Sequence, residues 1–440
     1  MAIGKSRRVR FERFGVCECG GNPEKEKGLL AVESENCLVG ESLKGSVGAS
    51  ILRRADGSSY GINATTLPAD YYFSHCVNGE DKIGFVTKQG LLFLDDGKKP
   101  LSRCEFGGRV GYAKAYDSEH KEKLAFGGEN GVWLYDETNG AVKTNAESAS
   151  RIICYYKERV FCVKKPFTLL YSAPTNPSDF SESIDGGGRL EMPSARGEIV
   201  ALLPLKEKLY IFFEYGICAL EGAGSAKEFR VQEMAYHGSR IFGDSVGACF
   251  EKAFFLTETG LCVFDGKVVK NACENLAIKP KITDQVCAQA QADGNYYLRY
   301  VNEKGVETGL VVDGMTEKGN RCFAMSALSV CKGEAVCYAN GGLCKIQKGE
   351  RAPAPFTSYF TAKNITFASA GVKTLNSLRV FGFGNAYVDV CAGRRTRRAK
   401  IAMESGVAQA YIGVRGKEFS IKIELEKGAE ITALEAEVVQ

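Results

Sequence analysis

Histidine is scarce: His75, His120 and His237 are the only three in 440 residues, and they lie far apart. Their spacing nominates neither a histidine metal cluster nor a hydroxyl or thiol nucleophile with its base. No C-x-x-C pair occurs. No apolar run approaches the ~18 residues needed to span a bilayer, so no membrane anchor is expected. The opening Met1–Phe14 is basic and polar, without the apolar segment of an export signal. The formal net charge of +4 is too small for a chain that coats nucleic acid over its whole surface. Nothing nominates a cofactor. The glycine-rich Asp185–Gly188 lacks the strand-to-helix setting and the following lysine of a phosphate loop.

What is abundant is glycine, 50 residues, and cysteine, 17. Scattered glycines supply the positive φ angles of many tight turns. The thiols read as reduced, buried small hydrophobes of a crowded β-fold. Cys17, Cys19 and Cys37 form the one group that could hold a soft metal, given a fourth ligand from elsewhere.

One pattern recurs: a strand, a short turn, a second strand of bulky residues, then in most copies an acid. It appears at Lys82–Asp95, Lys123–Asp136, Lys208–Glu221, Lys252–Asp265 and Glu334–Ile346. Weaker copies lie at Arg159–Tyr171 and at Asn295–Tyr300 with Gly309–Asp313. The spacing of roughly 35–50 residues fits four-stranded propeller blades. Each hairpin is too small to bury its own apolar face, so neighbours must stack. The fold class is therefore all-β: a β-propeller of about seven blades, six to eight being possible, followed by a small C-terminal β-sandwich. A long meander or several sandwiches would show similar strand spacing. Ala141–Ser150, Asp284–Asp293 and Asp185–Gly188 read as loops between blades.

The organisation expected is an N-terminal arm over residues 1–65 whose strands join neighbouring domains, a propeller over 66–352 and a sandwich over 353–440. The Pro-rich Arg351–Pro355 marks the last boundary. Beyond it, six alternating segments read as half-buried strands. The acids Asp95, Asp136, Glu221, Asp265 and Asp313 end the hairpins, where turn chemistry explains them. A glycoside hydrolase would need two such carboxylates converging in a central pocket. The basic run Arg394, Arg395, Arg397 and Arg398 falls between C-terminal strands. On a hairpin tip it would grip phosphates or an acidic protein surface; as a solvated loop it would serve solubility.

The segment Leu170–Phe180 reads Tyr-Ser-Ala-Pro-Thr-Asn-Pro-Ser-Asp-Phe after its first residue, and Gly186–Gly188 and Lys208–Phe212 follow. It resembles the third or fourth blade of propeller proteins in phage virions. Glu35–Gly48 is similar to the opening of tail and neck proteins. Lys373–Val380 and Val414–Ile423 resemble the closing sandwich of podovirus tail nozzle and packaged-DNA stabilisation proteins. The resemblance implies a non-catalytic structural protein of a phage or prophage virion, assembled in the host cytoplasm. It would form or decorate a homo-oligomeric ring at the head–tail junction or tail. Its partners would be portal, adaptor or tail proteins and the packaged DNA. A tail-tip propeller that binds a receptor or glycan is the alternative, and an exposed aromatic cluster involving Trp133 and the tyrosines would favour it.

Overall fold

The hairpins read from the sequence form the middle strands of seven four-stranded antiparallel sheets. The computed structural model describes residues 6–18, 22–24, 28–35, 37–39, 41–45, 47–53, 69–77, 80–87, 91–94, 102–103, 106–146, 148–222, 226–339, 342–348, 358–367, 369–426 and 428–440. Blades 1 to 6 occupy residues 69–103, 111–143, 153–191, 199–236, 247–271 and 288–322, each a simple meander. Blade 7 takes three strands from residues 326–348 and its fourth, outer strand, Val47–Ile51, from near the N-terminus. The first strands of the blades pack in series around an axis, and Ser326–Cys331 of blade 7 packs on Ala69–Val77 of blade 1. The ring is closed, which leaves each blade only short edges.

The blade strands read as continuous apolar runs because both of their faces are covered. In Lys208–Phe213, Leu209, Ile211 and Phe213 enter the layer shared with blade 3, whereas Tyr210 and Phe212 enter the layer shared with blade 5. Successive side chains of a strand point to opposite faces. Each such aliphatic or aromatic group contributes about 1.5–3 kcal/mol on burial. Gly131 and Gly260 open third strands with φ of 120° and 138°, a region that side-chain-bearing residues rarely adopt. The terminal acids close the next turn. Asp136 accepts from the backbone N–H of Thr138 and Asn139, and Asp265 from those of Lys267 and Val268.

Three loop assignments are corrected. Gly140–Lys143 is the outer strand of blade 2, and Ala288–Ala292 is the inner strand of blade 6. Asp185–Gly188 lies within blade 3, between its third and fourth strands, rather than between blades. Inner strands such as Gly111–Tyr116, Gly247–Cys249 and Ala288–Ala292 are rich in Gly and Ala, because the blades crowd together at the axis. A Cβ on Gly111 would lie 1.8 Å from the Arg151 carbonyl oxygen.

The sandwich has one sheet built on Lys373–Phe383, Val407–Gly416 and Glu430–Val439, and a second on Ser358–Ile365, Asn385–Ala392, Arg395–Ala402 and Phe419–Leu425. The chain's N-terminal segment completes both. Ser6–Phe11 pairs with Glu430–Val439, and Glu33–Glu35 pairs with Ser358–Ile365. The sandwich core is continuous with the layer between blades 5 and 6, which holds Phe254, Tyr296 and Leu298. Beside it, Arg321 of blade 6 meets Glu18 in a two-pronged pair at 2.7 and 2.8 Å and also donates to the Tyr300 hydroxyl at 2.9 Å. No helix among the described residues is long and apolar enough to cross a membrane.

Candidate functional site

The ring axis gathers polar side chains from several blades. A cavity of about 430 Å³ opens there, lined by Arg109, Arg151, Asp244, Gln289, Gln291 and Ser329 over walls that include Val110, Leu328 and Val330. Local structure fixes each contribution. Arg109 and Arg151 stand two residues before the inner strands of blades 2 and 3. Asp244 lies in the 3-10 turn Gly243–Ser245, just before the inner strand of blade 5. Gln289 and Gln291 are two apart on the inner strand of blade 6 and so share one of its faces.

Arg109 Nη1 reaches across the mouth to Asp244 Oδ2 at 2.9 Å, and Arg151 pairs with the other carboxylate oxygen. Two guanidinium groups thus share one carboxylate, which leaves the site cationic. Cys287 stands in the wall as a neutral thiol, since burial, and then the Asp244 charge, pushes its pKa well up. Asp244 is the one carboxylate among the described lining residues. The convergent pair that a glycoside hydrolase needs is therefore not assembled by them. None of these positions was nominated from sequence. The only signal was their shared place immediately before or within an inner strand.

The sequence-nominated arginines lie elsewhere, at one end of the sandwich. Arg394 is in a turn, and Arg395–Ala402 is a seventh strand, paired with Asn385–Ala392, where the sequence reading had six strands and an intervening basic segment. The strand was hidden because only Ile401 among its eight residues is buried, so no apolar alternation marks it. All four arginines are exposed, but strand alternation divides them. Arg398 bonds Asp389 at 3.1 Å and Glu424 at 2.5 Å and lies over the Tyr387 ring. Among the described residues, Arg394, Arg395 and Arg397 have no ion-pair partner.

Other sequence candidates are placed as follows. Cys37 is buried and its thiol donates to the Tyr359 carbonyl, Cys17 is half-buried, and Cys19 lies outside the described residues. Among the described residues no three His, Cys, Asp or Glu side chains form a metal-binding group. Fourteen described cysteines form no disulfide, and twelve of them are buried. Trp133 is only 7% exposed and meets Phe106 edge-on between blades 1 and 2, so it belongs to no exposed aromatic cluster. His237 Nε2 approaches Cys262 Sγ at 3.6 Å, a pair the sequence did not suggest; burial pushes that thiol up and argues against a nucleophile.

The segment 170–180 builds the crossing from the third strand of blade 3. Ala173 N–H donates to the Asp179 carbonyl, Asn145 holds Phe180 N–H at 2.7 Å, and Phe180 is buried against blade 2. Arg159, 1% exposed, bridges this segment to the glycine loop by donating to the carbonyls of Ser172 and Gly186 at 2.7 and 2.6 Å.

No family model matches the chain, and no curated protein matches it. Among solved structures it is similar to virginiamycin B lyase from Staphylococcus aureus, at 10% identity and a TM-score of 0.43, over 64% of this chain and 96% of that one. It is similar to BamB from Moraxella catarrhalis at 10% identity and a TM-score of 0.36, over 64% of this chain and 97% of that one. The extracellular domain of a one-component system from B. thetaiotaomicron matches at 11% identity and a TM-score of 0.44, over 78% of this chain and 45% of that one. The seven-bladed assignment rests on the strand pairings and the closed series of interblade layers.

Proposed function

We propose that the chain is a non-catalytic structural subunit of a phage or prophage virion, forming or decorating a ring at the head–tail junction or tail. The observation that carries this reading is the continuous core joining the propeller to the sandwich, with the N-terminal segment stitched into both. Such a block transmits load between neighbours without relying on a hinge. In a cyclic ring two different faces of each subunit meet, and a propeller joined to a sandwich offers several. The segment 170–180 supports the reading further, since its residues act as a brace between blades 2 and 3. Arg394, Arg395 and Arg397 are the side chains best placed to meet packaged DNA or an acidic portal, adaptor or tail protein.

Particles purified on a density gradient from cells carrying the gene are expected to contain the chain by mass spectrometry. Its recovery solely in the particle-free fraction overturns the reading. Charge reversal at Arg394, Arg395 and Arg397 is expected to reduce incorporation or DNA retention while leaving the melting temperature unchanged. Fully infectious particles from that variant would remove the arginines from the proposal.

A further inference from the structure

We infer that the axial mouth is a binding site for a small ligand that carries one carboxylate beside hydroxyl groups, an acidic sugar by class. Arg109 and Arg151 come from adjacent blades and converge on Asp244 from the far side of the ring. A guanidinium has five N–H donors in a planar fork. Neither arginine has another acceptor among the described residues, and their side chains are 49% and 36% exposed. Donors therefore remain for a ligand.

The charge count selects the ligand. Two cations and one anion leave a single positive charge, which one carboxylate neutralises. A phosphate dianion would set excess negative charge beside Asp244. Arginine forks match a carboxylate in two-pronged geometry.

The second half of the site is built from the two glutamines. Their side chains meet, and their amides carry both N–H donors and carbonyl acceptors for a partner that both accepts and donates. A hydroxyl does both. Gly247 of blade 5 faces these amides: a Cβ there would lie 2.3 Å from Gln291 Nε2 and 2.5 Å from Gln289 Oε1. The absence of a side chain at Gly247 gives the amides their room. Val110, Leu328 and Val330 supply apolar wall, and about 430 Å³ is within the range of small-molecule pockets. The site rests on these axial residues alone, so its failure leaves the virion proposal standing, and the reverse also holds.

The test is isothermal titration calorimetry of the full chain with D-glucuronate, D-glucose, acetate and inorganic phosphate. D-Glucuronate is expected to bind saturably at one site per chain. Glucose, which lacks the carboxylate, and acetate, which lacks the hydroxyls, are each expected to bind at least about ten-fold more weakly, the worth of one charge-assisted hydrogen bond. Arg109→Gln and Arg151→Gln are each expected to weaken D-glucuronate by about ten-fold or more. Asp244→Asn, which frees both guanidinium groups, is expected to tighten it, an effect that a purely structural ion pair does not produce. No saturable binding of D-glucuronate by the folded parent chain overturns the inference whatever the variants do. Binding unchanged in a folded arginine variant, or tighter binding of phosphate, overturns it equally.

Discussion

Asp136 shows how one repeated side chain secures a blade. Its carboxylate accepts the backbone N–H of Thr138 at 2.9 Å and of Asn139 at 2.7 Å, and Lys123 Nζ lies 3.0 Å away on the neighbouring strand. Burial pushes its pKa up, but the Asn139 and Lys123 interactions win and hold it at about 2. An unfolded aspartate titrates near 3.9, so the native carboxyl is depressed relative to the unfolded one. The stabilisation is therefore present above about pH 4 and is lost as pH falls toward 2. Asp136→Asn is expected to lower the urea midpoint at pH 7 and to flatten its acid limb between about pH 4 and 2. An acid limb parallel to that of the parent chain would show that this carboxylate contributes nothing. The acid was legible in the sequence because its partners lie two and three residues away. The pairing of Arg109 with Asp244 was not, because 135 residues separate them.

At the scale of the element, the edge strand Arg395–Ala402 answers a different demand. It leaves one row of backbone groups unpaired at the margin of its sheet, beyond Asn385–Ala392. Charged side chains discourage another chain from adding there. Replacing Arg395 and Arg397 together by Val is expected to cause association by sedimentation velocity, with a stability change within about 0.5 kcal/mol. A variant that stays in the parent's oligomeric state would show that the arginines do not guard the edge. The same charges made the strand invisible in the sequence. Inner strands such as Ala288–Ala292 were hidden for the opposite reason, since crowding at the axis replaces bulky residues with small ones. Middle strands such as Lys208–Phe213 were plain, being covered by blades on both faces.

At the scale of the molecule, propeller and sandwich share one continuous core. Calorimetry is expected to show a single unfolding transition rather than two. Glu18→Gln tests the seam, because Glu18 is paired with Arg321 and also accepts the Ala277 N–H at 3.1 Å. Loss of one partner from such a largely buried pair costs about 3 kcal/mol, and the transition should move to lower temperature as one. Two separated transitions in either chain would show that the shared core does not couple the parts.

The hairpin repeat, its turns and its rhythm of about seven units were determined by the sequence itself, since a hairpin's apolar pattern and turn residues act over a dozen neighbouring positions. Which edges the arm's strands take, Val47–Ile51 in blade 7 and Ser6–Phe11 and Glu33–Glu35 in the two sheets of the sandwich, was decided by the tertiary structure alone, as was the meeting of Arg109, Arg151 and Asp244 on the axis. Each joins residues far apart along the chain. Closing the ring brings them together, and no local pattern records that contact.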